Sequence, residues 1–140
     1  MNGTDIAQAQ SDLIEEFELF DNWLDRYEYI IDLGRKLPAF PDECKTDAYR
    51  LHGCQSQVWL TAEEADGRLH FQAVSDSAIV SGLIAILLRV YSDRSPLEII
   101  ATQPDFIAAI GLNAHLSPTR SNGLQAMIDS IRGHAIQCAG

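Results

Sequence analysis

The sequence predicts an α+β fold in which helices pack on one face of a small antiparallel three-stranded sheet. Two helical patterns lie within residues 5–37, a pattern of strands and turns occupies residues 49–74, and further helical patterns lie between residues 77 and 137. Helices, then a meander of short strands, then more helices are typical of the α+β class. The chain has 140 residues, enough to bury a core, and we expect a single domain spanning residues 1–140.

Two helices are predicted before the sheet. The first spans residues 5–19, where apolar side chains recur at helical spacing. Asp21 or Asn22 can cap the second, whose apolar stripe runs from Trp23 to Leu37. Pro38 and Pro41 end this helix because proline lacks a backbone donor and restricts the residue before it.

Three strand candidates follow. They are Tyr49–His52, Gln57–Glu64 and Leu69–Val74. Asp66-Gly67 separates the last two and is a strong hairpin signal, because glycine tolerates the positive φ of the favoured tight turns. The apolar faces of this hairpin alternate, so we expect a cover over one side of the sheet.

The cover is predicted to be the helix that Ser75, Asp76 or Ser77 caps and that runs to about Tyr91. It is apolar nearly all round, as a central buried helix is, and Gly82 within it permits close packing against another element. The remaining predictions, in order, are a short helix from the Ser95–Glu98 capping box, a helix Pro104–Ile110 ended by Gly111, a polar connection Leu112–Asn122, and a last helix from about Ser121 to Gln137.

Composition excludes several function classes. Twenty acidic residues against ten basic ones give a formal charge of −10. Nucleic acids and anionic membranes both require clustered basic residues, so we expect neither as a partner. No apolar run approaches the roughly 18 residues of a membrane span. The first ten residues lack the features of a secretory signal, and three cysteines form no disulfide pattern, so a cytoplasmic location is expected.

The residues around Cys54 are the strongest candidate site. Gly53 permits a tight turn, and Gln55 and Ser56 offer polar side chains before the next strand begins. A cysteine on a loop between strands is held by a scaffold yet open to a partner, which suits a reactive thiol. The alternative is a buried cysteine that acts as a small apolar residue. The residues alone leave these two interpretations about even.

Other chemistry is less well supported. A thiol enzyme would pair Cys54 with His52 or His115, although an exposed strand residue and a loop residue are the plainer interpretations of these two histidines. A zinc or iron–sulfur cluster scaffold is a third interpretation. The cysteines and histidines show no metal-ligand spacing apart from the close pair His52 and Cys54, so we expect no metal. Arg120 flanks a helix start, where a cation gains nothing from the helix dipole. It is either an ordinary surface arginine or a residue that faces an anion, such as a sulfur anion near Cys54.

Three segments resemble the SufE family of sulfur-acceptor proteins. They are residues 53–60 (GCQSQVWL), residues 75–83 (SDSAIVSGL) and residues 116–124 (LSPTRSNGL), and residues 23–38 are also similar to that family's second helix. The segments come in the family's order with similar spacing, and the resemblance covers nearly the whole chain.

The resemblance implies a fold like that of the iron–sulfur scaffold protein IscU, and a function as a sulfur carrier. Such a protein takes persulfide sulfur from a SufS/CsdA-type cysteine desulfurase, stimulates it, and passes sulfur to a downstream iron–sulfur scaffold. The pyridoxal phosphate belongs to the desulfurase, so no cofactor is expected here beyond a transient cysteine persulfide. By motif position Cys54 is the acceptor, Gly53, Gln55 and Ser56 support its loop, and Asp76 and Arg120 lie near the partner-facing surface. Cys44, Cys138 and His52 fall outside the motif, and the scaffold's ligand cysteines are not matched.

Overall fold

The computed structural model describes residues 5–53 and 56–139 and confirms the α+β class. The helices are α1 (Ile6–Glu18), α2 (Trp23–Arg35), α3 (Ala78–Tyr91), α4 (Pro96–Ala101), α5 (Asp105–Ile110), α6 (Leu112–His115) and α7 (Pro118–Ala139), and the strands are β1 (Val58–Ala65) and β2 (Arg68–Ser75). A 3₁₀ turn, Asp42–Cys44, lies between α2 and β1. None of the helices within the described ranges is long and apolar enough to cross a membrane.

The sheet has two strands within the described residues, so the prediction of a third strand at Tyr49–His52 is wrong. β1 and β2 pair antiparallel from Val58–Ser75 to Ala65–Arg68. The expected third strand contributes one isolated bridge, Arg50 to Trp59, with the Leu51 amide donating to the Val58 carbonyl at 2.8 Å. Turns precede this stretch, and the bend at Gly53, whose φ is +94°, follows it, so the extended part is too short for a ladder.

The hairpin turn is as predicted. Asp66 and Gly67 have φ of +56° and +77°, the two positive values that a tight turn between twisted strands requires. The buried face of the hairpin alternates along both strands and is formed by Val58, Leu60, Leu69, Phe71 and Ala73.

Helix α3 is the centre of the core, as its all-round apolar pattern predicted. Ser77 caps it by accepting from the Val80 amide. It packs against α2 so closely that a Cβ on Gly34 would lie 2.6 Å from the Gly82 backbone nitrogen, and a Cβ on Gly82 would overlap the Ile30 carbonyl. Glycine at both positions is therefore what allows α2 and α3 to approach.

Helix α1 is joined to α3 by a polar group at the edge of the core. The Arg89 guanidinium donates to both carboxylate oxygens of Glu16, and the Tyr29 hydroxyl donates to the same carboxylate. The hydrogen bond from Arg89 holds the pKa of the Glu16 carboxyl below its usual value, while burial and the Glu16 contact raise the pKa of Tyr29 to about 12.

The predicted polar connection Leu112–Asn122 is wrong in most of its length. Gly111, at φ +96°, ends α5 and begins the single-turn helix α6, and α7 begins at Pro118. Ser117 accepts from the Arg120 amide at 3.2 Å, so it caps α7 with proline in the first helical position. This places Arg120 in the first turn of a long helix.

Candidate functional site

Cys54 and Gln55, the centre of the predicted site, lie outside the described residues. We call residues 53–56 the acceptor segment, after the expectation that Cys54 accepts sulfur. Gly53 begins it, and Gln57 follows it. Gly53 is exposed and lies beside α7, where a Cβ on it would be 3.4 Å from the Ala126 methyl group, an ordinary contact. The strain of any substitution at Gly53 would come from its φ of +94°, which L side chains rarely adopt.

Asp76 anchors the far end of the acceptor segment. The Gln57 amide donates to the Asp76 carboxylate at 3.1 Å, and the Asp76 amide donates back to the Gln57 carbonyl at 3.3 Å. This reciprocal pair joins Gln57, just before β1, to Asp76, just before the α3 cap residue Ser77. Asp76 itself is exposed. Its described hydrogen bonds are therefore with Gln57, the residue before β1.

Ser56 lines a recess of about 270 Å³ that α3 and α7 also line. We call it the acceptor recess. Val80 and Leu83 contribute apolar lining from α3, and Leu124 and Met127 contribute more from α7. Polar groups from the start of α7 complete the lining, namely Ser117, Thr119 and Arg120.

Arg120 is exposed, and its guanidinium makes no hydrogen bond or ion pair within the described part of the chain. Its backbone amide is committed to the Ser117 cap. Because the side chain lines the acceptor recess without a described acid beside it, it can face an anion there. Ser56 and Arg120 thus share one recess, and Gly53 and the hydrogen-bonded pair Gln57 and Asp76 flank Cys54 in the chain.

His115, one of the two histidines considered as a catalytic base, is held in a structural contact. Its ring stacks on Trp23 with centroids 3.9 Å apart and planes 13° from parallel. Its Nδ1 lies 2.9 Å from the Gly111 carbonyl, and the Tyr27 hydroxyl donates to the His115 carbonyl. His115 does not line the acceptor recess.

His52 lines a different recess, to which Ser56 does not contribute. The other two cysteines are separate from both recesses: Cys44 is half-buried in the 3₁₀ turn, and Cys138 is exposed near the end of α7. Within residues 5–53 and 56–139, no group of three or more His, Cys, Asp or Glu side chains is arranged to hold a metal.

Several residues of the acceptor recess were not singled out by pattern analysis. Val80, Leu83, Leu124 and Met127 match the pattern of ordinary core positions on two helices, and only the packing shows that they also line a recess beside the loop. The cap at Ser117 could have been predicted, since serine followed by proline is typical of a helix start.

Comparisons with known proteins agree with this architecture. Residues 11–135 match the family model SufE, described as a Fe-S metabolism associated domain. An uncharacterized SufE-like protein from Rhizobium meliloti (strain 1021) is 41% identical over 128 residues, which cover 88% of this chain and 91% of that protein. The solution structure of a hypothetical protein from Thermus thermophilus superposes with a TM-score of 0.76 at 20% identity, covering 92% of this chain and 94% of the other, and shows the shared fold.

The fold and the matched residues therefore define an α+β protein associated with iron–sulfur metabolism. More particularly, the chain belongs to the SufE family.

Proposed function

We propose that this protein accepts sulfur on Cys54 from a SufS/CsdA-type cysteine desulfurase, stimulates that enzyme, and delivers the sulfur to an iron–sulfur scaffold in the cytoplasm. The observation that carries the proposal is the position of the family motif. Gly53, before Cys54, lies beside Ala126 of α7, Gln57 after it is hydrogen-bonded to Asp76, and Ser56 lines a recess that Arg120 also lines.

The transfer is a thiol–disulfide type of exchange. The Cys54 thiolate attacks the terminal sulfur of the donor's cysteine persulfide. One S–S bond forms on Cys54 as the S–S bond on the donor breaks, and the donor cysteine leaves as a thiolate. No electrons are gained or lost overall, so the step needs no oxidant or reductant.

The acceptor recess supplies two things that a carried persulfide needs. Its apolar residues Val80, Leu83 and Met127 give a carried persulfide a surface to pack against, which would limit loss of the sulfur to reductants and oxidation of the persulfide. The Arg120 guanidinium favours the anionic form of a thiol or persulfide.

The test is transfer of labelled sulfur. The protein is incubated with desulfurase and sulfur-labelled cysteine, and the label is located by peptide mass spectrometry. We expect one added sulfur atom on Cys54, none on Cys54→Ser, and unchanged labelling on the matched controls Cys44→Ser and Cys138→Ser. Label on either of the other cysteines in the wild type would contradict the proposal.

A thiol enzyme that uses His52 with Cys54 is the other candidate, since His52 lies two residues before the cysteine. It would turn over a small substrate without desulfurase, whereas a carrier would not. Absence of thiol-dependent hydrolysis by the wild type without desulfurase would exclude it.

A further inference from the structure

A second recess adjoins the start of the acceptor segment. It has a volume of about 380 Å³ and is lined by residues 48–52, β1 and α7. We call it the basic cleft. Arg50, His52 and His134 are its basic lining residues, Tyr49 and Ser130 add hydroxyl groups, and Leu60 is part of its apolar floor.

The balance of acidic and basic residues in the basic cleft is opposite to that of the chain as a whole. The protein has twice as many acidic as basic residues, yet no carboxylate lines this cleft among the described residues. Asp47 and Asp129 adjoin lining residues in sequence, and neither lines it. The Asp129 carboxylate accepts instead from Gln125 on the surface of α7.

Arg50 is also unusual among the arginines. In the described part of the chain, two of the eight arginines have guanidinium groups with no hydrogen bond, Arg50 and Arg120. The others donate to a carboxylate or a backbone carbonyl, and they are Arg26, Arg35, Arg68, Arg89, Arg94 and Arg132. The two arginines that remain available line the two recesses next to the acceptor segment.

Helix α7 shows how closely the cleft adjoins that segment. Ala126, Ser130 and His134 recur every four residues and so form one row on the helix. Gly53 lies against Ala126, and the other two residues line the basic cleft. The chain passes from the cleft at His52 to the acceptor recess at Ser56, so a protein that docks over Cys54 also covers the basic cleft.

We propose that the basic cleft receives a carboxylate side chain from an acidic surface segment of the sulfur-donating protein. This rests on the proposed function. The guanidinium of Arg50 binds the carboxylate, the two imidazoles and the Tyr49 hydroxyl are further donors, and the apolar floor takes the methylene stem of the acidic side chain. Because the chain as a whole is acidic and repels an acidic partner, this contact selects the docking orientation that presents Cys54.

The experiment measures desulfurase turnover and label uptake against the concentration of this protein, at low and high salt. The variant is Arg50→Glu, and the matched control is Arg35→Glu, a charge reversal at an exposed arginine of α2 paired with Asp32. We expect Arg50→Glu to raise the KM for this protein about tenfold at low salt, with less effect at high salt, and to leave kcat unchanged. The control should stay within about twofold.

An unchanged KM in Arg50→Glu, or an equal rise in Arg35→Glu, would overturn the proposal. A site for small anions would also overturn it. Inorganic phosphate would then shift the NMR signals of His52 and His134 in the wild type, while Arg50→Glu would transfer sulfur normally. If Arg50→Glu does not fold, Arg50→Ala gives the same comparison with Arg35→Ala. Failure of the proposed function is a different result, since the wild type would then take no label on Cys54 at any concentration.

Discussion

The imidazole of His115 stacks face to face on the indole of Trp23, 3.9 Å away between centroids, and so joins the start of α2 to the turn before α7. The Arg26 guanidinium lies 5.3 Å from the Trp23 ring centroid and donates to the Ile110 carbonyl at 3.0 Å. With the hydrogen bond from Tyr27 to the His115 carbonyl, these contacts fix the chain two residues before the Ser117 cap. Helix α2 thereby positions the helix start that carries Arg120.

Tyr27→Phe removes the hydrogen bond to the His115 carbonyl and keeps the ring. We expect a loss of about 1 kcal/mol in the free energy of unfolding, and faster amide hydrogen exchange in residues 116–121. The control is Tyr49→Phe, whose hydroxyl makes no hydrogen bond within the described residues. Equal exchange rates in the two variants would show that Tyr27 does not hold this turn.

Arg120→Ala should weaken sulfur acceptance without unfolding the protein. The side chain is exposed and makes no ion pair with the described residues, so the free energy of unfolding should change by less than about 0.5 kcal/mol. Loss of the cation at the acceptor recess should slow labelling of Cys54 several-fold, measured against Arg35→Ala. Wild-type labelling kinetics in Arg120→Ala would remove it from the site.

Gly53→Ala tests the backbone conformation beside Cys54. The φ of +94° should cost an alanine roughly 1–2 kcal/mol in stability. Gly67→Ala is the matched control, because Gly67 has φ +77° with nothing within 4 Å of its Cβ position and lies in the hairpin turn. Both variants should be destabilised, and only Gly53→Ala should slow sulfur uptake. Slow uptake in both would indicate a global effect.

Gly82→Ala and Gly133→Ala should change stability in opposite directions. A methyl group on Gly82 would overlap the Ile30 carbonyl, so separating α2 from α3 should cost about 3 kcal/mol or more. Gly133 is inside α7 with open space around its Cβ position, so alanine should gain about 0.5–1 kcal/mol. Urea unfolding of the two variants measures both changes, and a stable Gly82→Ala would refute the packing argument.

Glu16→Gln should reduce acid sensitivity. The folded pKa of Glu16 is below its ordinary value of 4.5, so its ionised form stabilises the native state above that pH, and this contribution is lost as pH falls through the folded pKa. At pH 7 the variant should lose about 1 kcal/mol, since the pair with Arg89 is partly exposed. Below pH 4.5 its stability should approach that of wild type. A constant difference across this range would contradict the assignment.

Predictions from sequence succeeded where structure is decided locally. Asp66-Gly67 specifies its own turn, and the all-round apolar pattern of α3 is that of a buried helix. The prediction of a third strand was wrong because a strand needs several extended residues beside a partner strand. The bend at Gly53 ends the extended stretch before it can form a ladder. The predicted start of α7 was too late because the polar residues after Ser117-Pro118 are as common in loops as in the first turn of a helix.

Predictions for the site divide in the same way, between features that the local sequence encodes and contacts that only the fold creates. Cys54 was predicted from its loop and polar neighbours and Arg120 from its position at a helix start, whereas Asp76 was assigned to the site through the family resemblance. The stacking of Trp23 on His115 joins residues far apart in the sequence, and no periodic pattern encodes such a contact. The basic cleft likewise combines residues 48–52 with one row of α7, a neighbourhood that only the folded chain creates.

The hydrogen bond between the Leu51 amide and the Val58 carbonyl sets a limit on the distance that the thiol can travel. It closes residues 52–57 into a short tether whose two ends are adjacent. A tether of that length can project its midpoint by about 10 Å at most while the bond stays intact. Under the proposed function, a donor cysteine that lies deeper than this below its own protein's surface would be out of reach while the bond stays intact.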